Sequence, residues 1–260
     1  MGIPFLRAHK ITKRFGAVTA LRNVDFEAHC GEVVAIVGDN GAGKSTLIKI
    51  LSGAWSPTEG DLEVKGASVQ FDNPADAGAI GIATIYQELA LAENLTVYEN
   101  VFLGREICRS FLGFPFLRRE LMRQRVAQLL TDLDAHISTP DMLVAELSGG
   151  QRQAVAISRA LNFNAELVIM DEPTAALAIA ETRKVLNLVK QLRKSGKAII
   201  LISHNIGEVC EVADRIVVFR RGFKVAERRR DQTDPEKVIS LITGAHQEVR
   251  AFMDAYGTPT

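Results

Sequence analysis

Two short stretches of this chain combine the residue types that phosphate chemistry needs. In Gly38-Asp39-Asn40-Gly41-Ala42-Gly43-Lys44-Ser45 the glycines and the final Lys-Ser fit the pattern of a phosphate-binding loop. Glycines let backbone N–H groups wrap an anion, and the helix that follows adds its positive end, roughly half a unit charge. Lys44 is placed to neutralise the β- and γ-phosphates, and the Ser45 hydroxyl to ligate Mg²⁺. Further on, Leu167-Val168-Ile169-Met170-Asp171-Glu172 is an apolar run that ends in two carboxylates. At the carboxyl end of a parallel strand such groups face a ligand crevice. There Asp171 would hold Mg²⁺ through water, and Glu172 would polarise an attacking water as general base. Taken alone, an acidic pair after a strand also reads as the exposed start of a loop; next to a phosphate loop the catalytic reading is the stronger.

A third stretch, Leu147-Ser148-Gly149-Gly150-Gln151, opens a helical pattern. Ser148 and Gln151 stand at capping-box spacing, the glycines expose backbone N–H groups, and Ala154, Val155, Ile157 and Leu161 give the helix an apolar face. That makes a second anion-binding helix start. On physics alone an ordinary helix N-terminus is the simpler reading.

These stretches need a scaffold, and the pattern around them supplies one. Short apolar runs alternate with helical periodicity, which predicts an α/β fold with a parallel sheet. Residues 32–37, 167–170, 198–202 and 216–219 read as buried strands. Residues 24–28 and 61–69 alternate more, with turn signals at Pro57, Gly60 and Gly66, and predict a smaller antiparallel sheet. From about residue 89 to 147 the pattern is helical: Thr96 and Glu99 have capping-box spacing, and Leu117, Leu121, Leu129, Leu130 and Leu133 fall on one face. Phe111, Phe114 and Phe116 around Gly113 and Pro115 predict a loop between helices.

Composition narrows the classes. The chain has 260 residues, 47% of them hydrophobic and 24% charged, with Lys+Arg and Asp+Glu both 31 and a formal net charge of zero. That excludes the global basic excess of a nucleic-acid binder, and Arg228-Arg229-Arg230 reads as a solvated face. Cys30, Cys108 and Cys210 are too dispersed for a disulfide framework or a zinc site and fit a reducing cytosol. The first ten residues lack the apolar core of a signal peptide, and no apolar run approaches the roughly 20 residues a membrane span needs.

Together the three stretches and their order resemble the ATP-binding-cassette (ABC) transporter ATPases over about residues 6–244. The run 147–151 matches the family's signature motif, standing between a phosphate loop and an Asp-Glu strand. The resemblance implies an α/β P-loop NTPase core, a parallel sheet flanked by helices, with a small antiparallel β subdomain and an inserted α-helical subdomain. It implies one ABC ATPase domain over residues 1–260: core and β subdomain at 1–88 and 148–245, the helical insert at 89–147, and a tail at 246–260. Gln87 matches the glutamine loop, His204 the switch histidine, and Phe15 the aromatic that stacks on adenine; by themselves Phe15 reads equally as core and His204 as a capping or core histidine. The implied ATP contacts are Phe15, Gly38, Asp39, Asn40, Gly41, Ala42, Gly43, Lys44, Ser45, Thr46, Gln87, Ser148, Gly149, Gly150 and Gln151. The implied Mg²⁺ ligands are Ser45, Gln87 and Asp171, and the implied catalytic residues Lys44, Glu172 and His204. One departure stands out. After Pro173-Thr174-Ala175-Ala176-Leu177 the family commonly has an Asp, and here Ala178 takes its place. That weakens the expectation of tight cross-talk between paired sites.

Within the family, residues 81–89 and 94–106 look like the ribose, xylose, galactose and fructose importers. Many of that branch carry two cassettes; this chain carries one, and so most resembles the fructose-type importers. The resemblance implies a homodimer closed by ATP, a separate membrane permease, and indirectly a periplasmic sugar-binding protein. It places the chain peripherally on the cytoplasmic face of the inner membrane, with no nucleic-acid partner. The competing reading, a soluble ABC ATPase acting on ribosomes or DNA, expects a second cassette, long coiled-coil insertions or a basic patch, and none is seen.

Overall fold

The computed structural model describes residues 3–111, 114–162, 164–175 and 177–256, with Phe111 described by its backbone alone. Gly113, Ala176 and residues 257–260 of the expected tail lie outside the described residues. In chain order come β1 (Leu6–Phe15), β2 (Val18–Ala28), β3 (Val33–Gly38), α1 (Lys44–Leu51), β4 (Glu59–Val64), β5 (Ala67–Val69), α2 (Pro74–Ala79) and β6 (Ile82–Ile85). The middle holds α3 (Val97–Phe102), β7 (Cys108–Phe111), β8 (Phe114–Leu117), α4 (Arg119–Asp132) and α5 (Gly149–Asn162). The rest is β9 (Leu167–Asp171), α6 (Ile179–Lys194), β10 (Ala198–Ile202), α7 (Ile206–Val212), β11 (Arg215–Arg220), β12 (Phe223–Arg229), α8 (Pro235–Thr243) and α9 (Gln247–Tyr256).

The main sheet has six strands in the order β12-β11-β3-β10-β9-β6. β11, β3, β10, β9 and β6 pair in parallel, and β12 closes the edge antiparallel to β11. Residues 33–37, 167–170 and 198–202 are buried throughout, because a parallel sheet covered on both faces needs apolar side chains on both. Val33, Ala35, Val37, Val168 and Met170 pack beneath α5 and α6, while Val34, Ile36, Ile169 and Ile200 pack towards α1 and the second sheet. That second sheet is antiparallel, in the order β2-β1-β4-β5, so the expected β subdomain is larger than the two predicted strands.

The middle of the chain has its own core of Val97, Tyr98, Val101, Met122, Val126, Leu130, Val144 and Val155. The predicted capping box is present: Thr96 N–H donates to Glu99 Oε2 at 3.0 Å and Glu99 N–H to Thr96 Oγ1 at 3.4 Å. The Thr96 N–H and, with it, the Thr96 hydroxyl donating at 2.8 Å hold the Glu99 carboxyl below the usual carboxylate range. Two expectations are corrected here. The insert is not wholly helical, since the Phe-rich stretch forms the β7–β8 ribbon, with Arg109 paired to Phe116. The buried stripe of α4 is Met122, Val126 and Leu130; of the expected leucine face Leu130 and Leu133 are buried and Leu121 and Leu129 half-buried, whereas Leu117 lies in β8 and is 47% exposed. The leucine count outweighed the i, i+4 period that decides burial. Residues 247–256 of the tail are helical, with Val249 packed into the main core.

Candidate functional site

The phosphate-loop pattern lies between β3 and α1, as a loop that carries an anion must. β3 delivers Gly38 at φ 150, and a Cβ there would lie 2.2 Å from the Phe219 carbonyl oxygen of β11. Gly43, at φ 104, starts α1, and a Cβ on it would come within 2.8 Å of the Ala20 oxygen. Both positions therefore require glycine on two grounds, left-handed backbone and close approach. The Lys44 ammonium folds back over the loop, donating to the Gly38 oxygen at 2.6 Å and the Asp39 oxygen at 2.9 Å. Its pKa lies below the usual lysine value because burial outweighs the pull of Glu172, Asp39 and Asp171. Asp39 also pairs with Arg220 at 3.3 Å, and Arg220 donates to the Ile242 oxygen, which ties the loop to the end of α8.

The loop opens on a cleft of about 180 Å³ lined by Asn40, Gly41, Ala42, Gly43, Lys44, Ser45 and Thr46, with Asp171 and Glu172 opposite. Register puts the acids there: β9 pairs with β10 up to Asp171–Ile202, so the strand ends at the rim. Burial first, and then the charge of Glu172, holds the Asp171 carboxyl above its usual range. A cation beside it would relieve that strain. The Ser45 hydroxyl and Asp171 carboxylate are hard oxygen donors of the kind Mg²⁺ takes. No group of three or more His, Cys, Asp and Glu stands ready to hold a metal among the described residues.

Glu172 sits in the left-handed region at φ 50, with its N–H donated to the Ile202 oxygen at 2.9 Å. For a non-glycine residue that costs on the order of 1–3 kcal/mol. The turn aims its carboxylate at His204, whose Nδ1 lies 3.0 Å from Glu172 Oε2. His204 is otherwise open, its side chain 72% exposed, and shares a second cleft with Gly38, Asp39 and Asn40. Neither the chemistry of a capping nor that of a core histidine describes it.

Gln87 lies just after β6 and lines a cleft of about 490 Å³ with Glu172, Gly149, Arg152 and Glu181. The start of α5 has the predicted reciprocal cap: Ser148 N–H donates to Gln151 Oε1 at 2.9 Å and Gln151 N–H to Ser148 Oγ at 3.4 Å. Gln151 also donates to the His136 oxygen at 2.6 Å. None of Ser148, Gly149, Gly150 and Gln151 lines the phosphate-loop cleft. The chain brings Lys44, Ser45, Asp171 and Glu172 together, sets His204 and Gln87 at their edges, and keeps the 148–151 helix start out of the phosphate-loop cleft, with Gly149 in the neighbouring cleft of Gln87 and Glu172. Phe15, 42% exposed, ends β1 away from that cleft and meets the Trp55 ring edge-on at 5.0 Å.

Three neighbours of the site escape sequence reasoning. Trp55 is one. Another is Arg159 of α5, which donates to the Leu89 and Ala90 oxygens at 2.8 and 3.0 Å and so ties the 148–151 helix to the segment after Gln87. The third is Glu181 in the first turn of α6, against Gly149 and Gly150. No spacing rule marks them, since each acts across elements distant in the chain.

A protein-family model described as ABC transporter matches residues 21–175. A xylose/arabinose import ATP-binding protein of Sulfolobus acidocaldarius is 47% identical over 238 residues, covering 92% of this chain and 93% of the relative. A fructose import ATP-binding protein of Rhizobium meliloti is 43% identical, covering 97% and 98%. A ribose import ATP-binding protein of Caldanaerobacter subterraneus is 42% identical over 93% of this chain but only 48% of its own length. Among solved structures, the ADP conformation of MJ1267, an ATP-binding cassette of an ABC transporter, superposes with a TM-score of 0.79 at 28% identity, covering 96% and 98% of the two chains. A dimeric post-hydrolysis state of the cassette MJ0796, bound to ADP and Pi, gives 0.72 at 28% identity, covering 86% and 98%.

Proposed function

The chain belongs to the ABC transporter family of ATP-binding cassettes, and from that membership we propose that it is the ATP-hydrolysing motor subunit of a sugar importer. The sugar-import relatives named above, similar over nearly the whole chain, support monosaccharide import over action on ribosomes or DNA. Among the described residues no helix is long and apolar enough to cross a membrane, so a separate permease would carry the sugar. A periplasmic binding protein would deliver the sugar, and the chain would work from the cytoplasmic face of the membrane. Residues 89–147 would form the permease-facing helical subdomain on a core built from residues 1–88 and 148–245.

The observation that carries the catalytic reading is the shared cleft of Lys44, Ser45, Asp171 and Glu172. Backbone N–H groups of residues 40–45 would wrap the phosphates, and Lys44 would exchange its two loop carbonyls for phosphate oxygens. Ser45, Asp171 and Gln87 would hold Mg²⁺, which would offset the charge of the phosphates. Glu172 would orient and deprotonate the attacking water, and His204 would leave Glu172 to meet the terminal phosphate. This chemistry is positioning and charge stabilisation more than covalent work.

Two copies would complete the site. The 148–151 helix start lies outside the phosphate-loop cleft of its own chain, and its anion-binding end suits a triphosphate held by a second copy. The head-to-tail homodimer would pair Lys44 and Glu172 of one chain with Ser148 and Gly150 of the other. The dimeric MJ0796 cassette supports such an assembly. The test is Glu172→Gln in the purified chain. ATP binding should persist while turnover falls by about two to four orders of magnitude, the usual loss for a general base. Near-normal turnover would remove Glu172 from the role.

A further inference from the structure

The anion-binding end of α5 already has an anion on it. Glu181 belongs to α6, yet its side chain lies across Gly149 and Gly150. A Cβ on Gly149 would stand 3.4 Å from Glu181 Oε2, and one on Gly150 would stand 3.1 Å from Glu181 Cβ and 3.5 Å from Cγ. Gly150 is buried beneath it. Ser148 above all, then the N–H groups of Gly150 and Ala178, with Lys184 nearby, hold this carboxyl below the usual carboxylate range. Glu181 is the third residue of α6, so it also reaches back to the start of its own helix. One carboxylate thus serves the positive ends of two helices, α5 and α6. Ser148 and Gly150 are the donors that the composite site would turn towards the terminal phosphate on a second copy.

We propose that Glu181 is a specificity-determining residue of the composite site: in the free subunit its carboxylate holds the anion seat on α5, and the γ-phosphate presented by a second copy must displace it before the two subunits close. The inference rests on the composite-site reading above. Two anions cannot share these donors, because a carboxylate and a triphosphate repel at contact distance. ADP has no γ-phosphate to compete for the seat, so it leaves Glu181 in place. Glu181 therefore raises the ATP level needed for closure and widens the difference between ATP and ADP. Glu181 does not line the phosphate-loop cleft of its own chain, so nucleotide binding there should not depend on it.

The test uses the full chain carrying Glu172→Gln, which keeps ATP intact, with and without Glu181→Gln or Glu181→Ala. Dimer formation is followed by light scattering across an ATP titration with Mg²⁺, and nucleotide affinity of the dilute monomer by fluorescent ATP. Glu181→Gln keeps the shape and one acceptor oxygen without the charge, so loss of fold does not confuse the result. Both variants should reach half-maximal dimer at about 1.5- to fivefold less ATP, the range expected when a competing exposed charge contact is removed. Monomer affinity should stay unchanged. An unchanged or higher ATP requirement in both variants overturns the inference while the composite site stands. If the Glu172→Gln parent forms no dimer at saturating ATP, the composite site and this inference fall together.

Discussion

Ala178 stands where the resemblance implied an Asp, and the structure gives that substitution a measurable consequence. Ala178 is the N-cap of α6, extended at φ −66 and ψ 156, with no side-chain cap on the helix. The helix is no surface ornament: Leu186, Leu188, Val189 and Leu192 bury one face in the main core. A capping side chain exchanged for Ala costs about 0.5–2 kcal/mol, and restoring it should return a similar amount. Glu181 already stands at the N3 position of a capping box. Ala178→Asp would supply the missing half and add a charge favourable to the helix dipole. Against this, the introduced carboxylate and Glu181 would repel within one exposed turn, which trims the gain without reversing it. The net expectation is a gain of about 1 kcal/mol, or roughly 2–4 °C in Tm for a chain of this size. Urea unfolding should show a higher midpoint at an unchanged slope. Ala178→Asn, which caps without the charge, should gain as well. If neither substitution moves the midpoint, the start of α6 is not set by its cap, and the reasoning fails.

Lys44→Ala should weaken ATP binding by about tenfold or more in equilibrium titration while the melting temperature holds, because the ammonium bonds only two surface-loop carbonyls. Lys44→Ala and Ser148→Arg should each be inactive alone, but a mixture should regain hydrolysis, since one heterodimer site carries neither lesion; heterodimers that neither hydrolyse nor trap nucleotide would refute composite sites. Arg215 bonds Glu32, Glu227 and the Glu27 oxygen at 2.6–2.9 Å with its side chain 15% exposed, so Arg215→Met should cost about 1.5–3 kcal/mol in chemical denaturation, leaving Glu227 with Lys224 and Glu32 with the His29 N–H as partners. The Glu99 carboxyl titrates below its unfolded value, so its stabilisation is full above the ordinary carboxylate range and disappears as pH falls through the lowered folded value. The stability lost between about pH 5 and pH 3 should accordingly be smaller in Glu99→Gln than in the parent.

The chain's local order determined much of this protein. Gly38 to Ser45 specify their loop because glycine alone tolerates the backbone at its two ends, and the alternating apolar runs specify buried parallel strands because a sheet covered on both faces accepts little else. The Thr96–Glu99 and Ser148–Gln151 caps were legible for a related reason, as both partners lie within one helical turn. What the sequence could not reveal are contacts made across folded elements. The β7–β8 ribbon was hidden because its aromatic residues carry no period that separates a loop from a strand pair. Glu172 in its left-handed turn, bonded to His204, depends on β9 and β10 ending in register. Arg159 reaches carbonyls beyond Gln87, and Glu181 reaches the start of α5, because the tertiary fold packs α5 and α6 side by side. Side chains separated by dozens of residues meet only when helices and strands dock, and docking is decided by the packing of whole faces, which no short motif records.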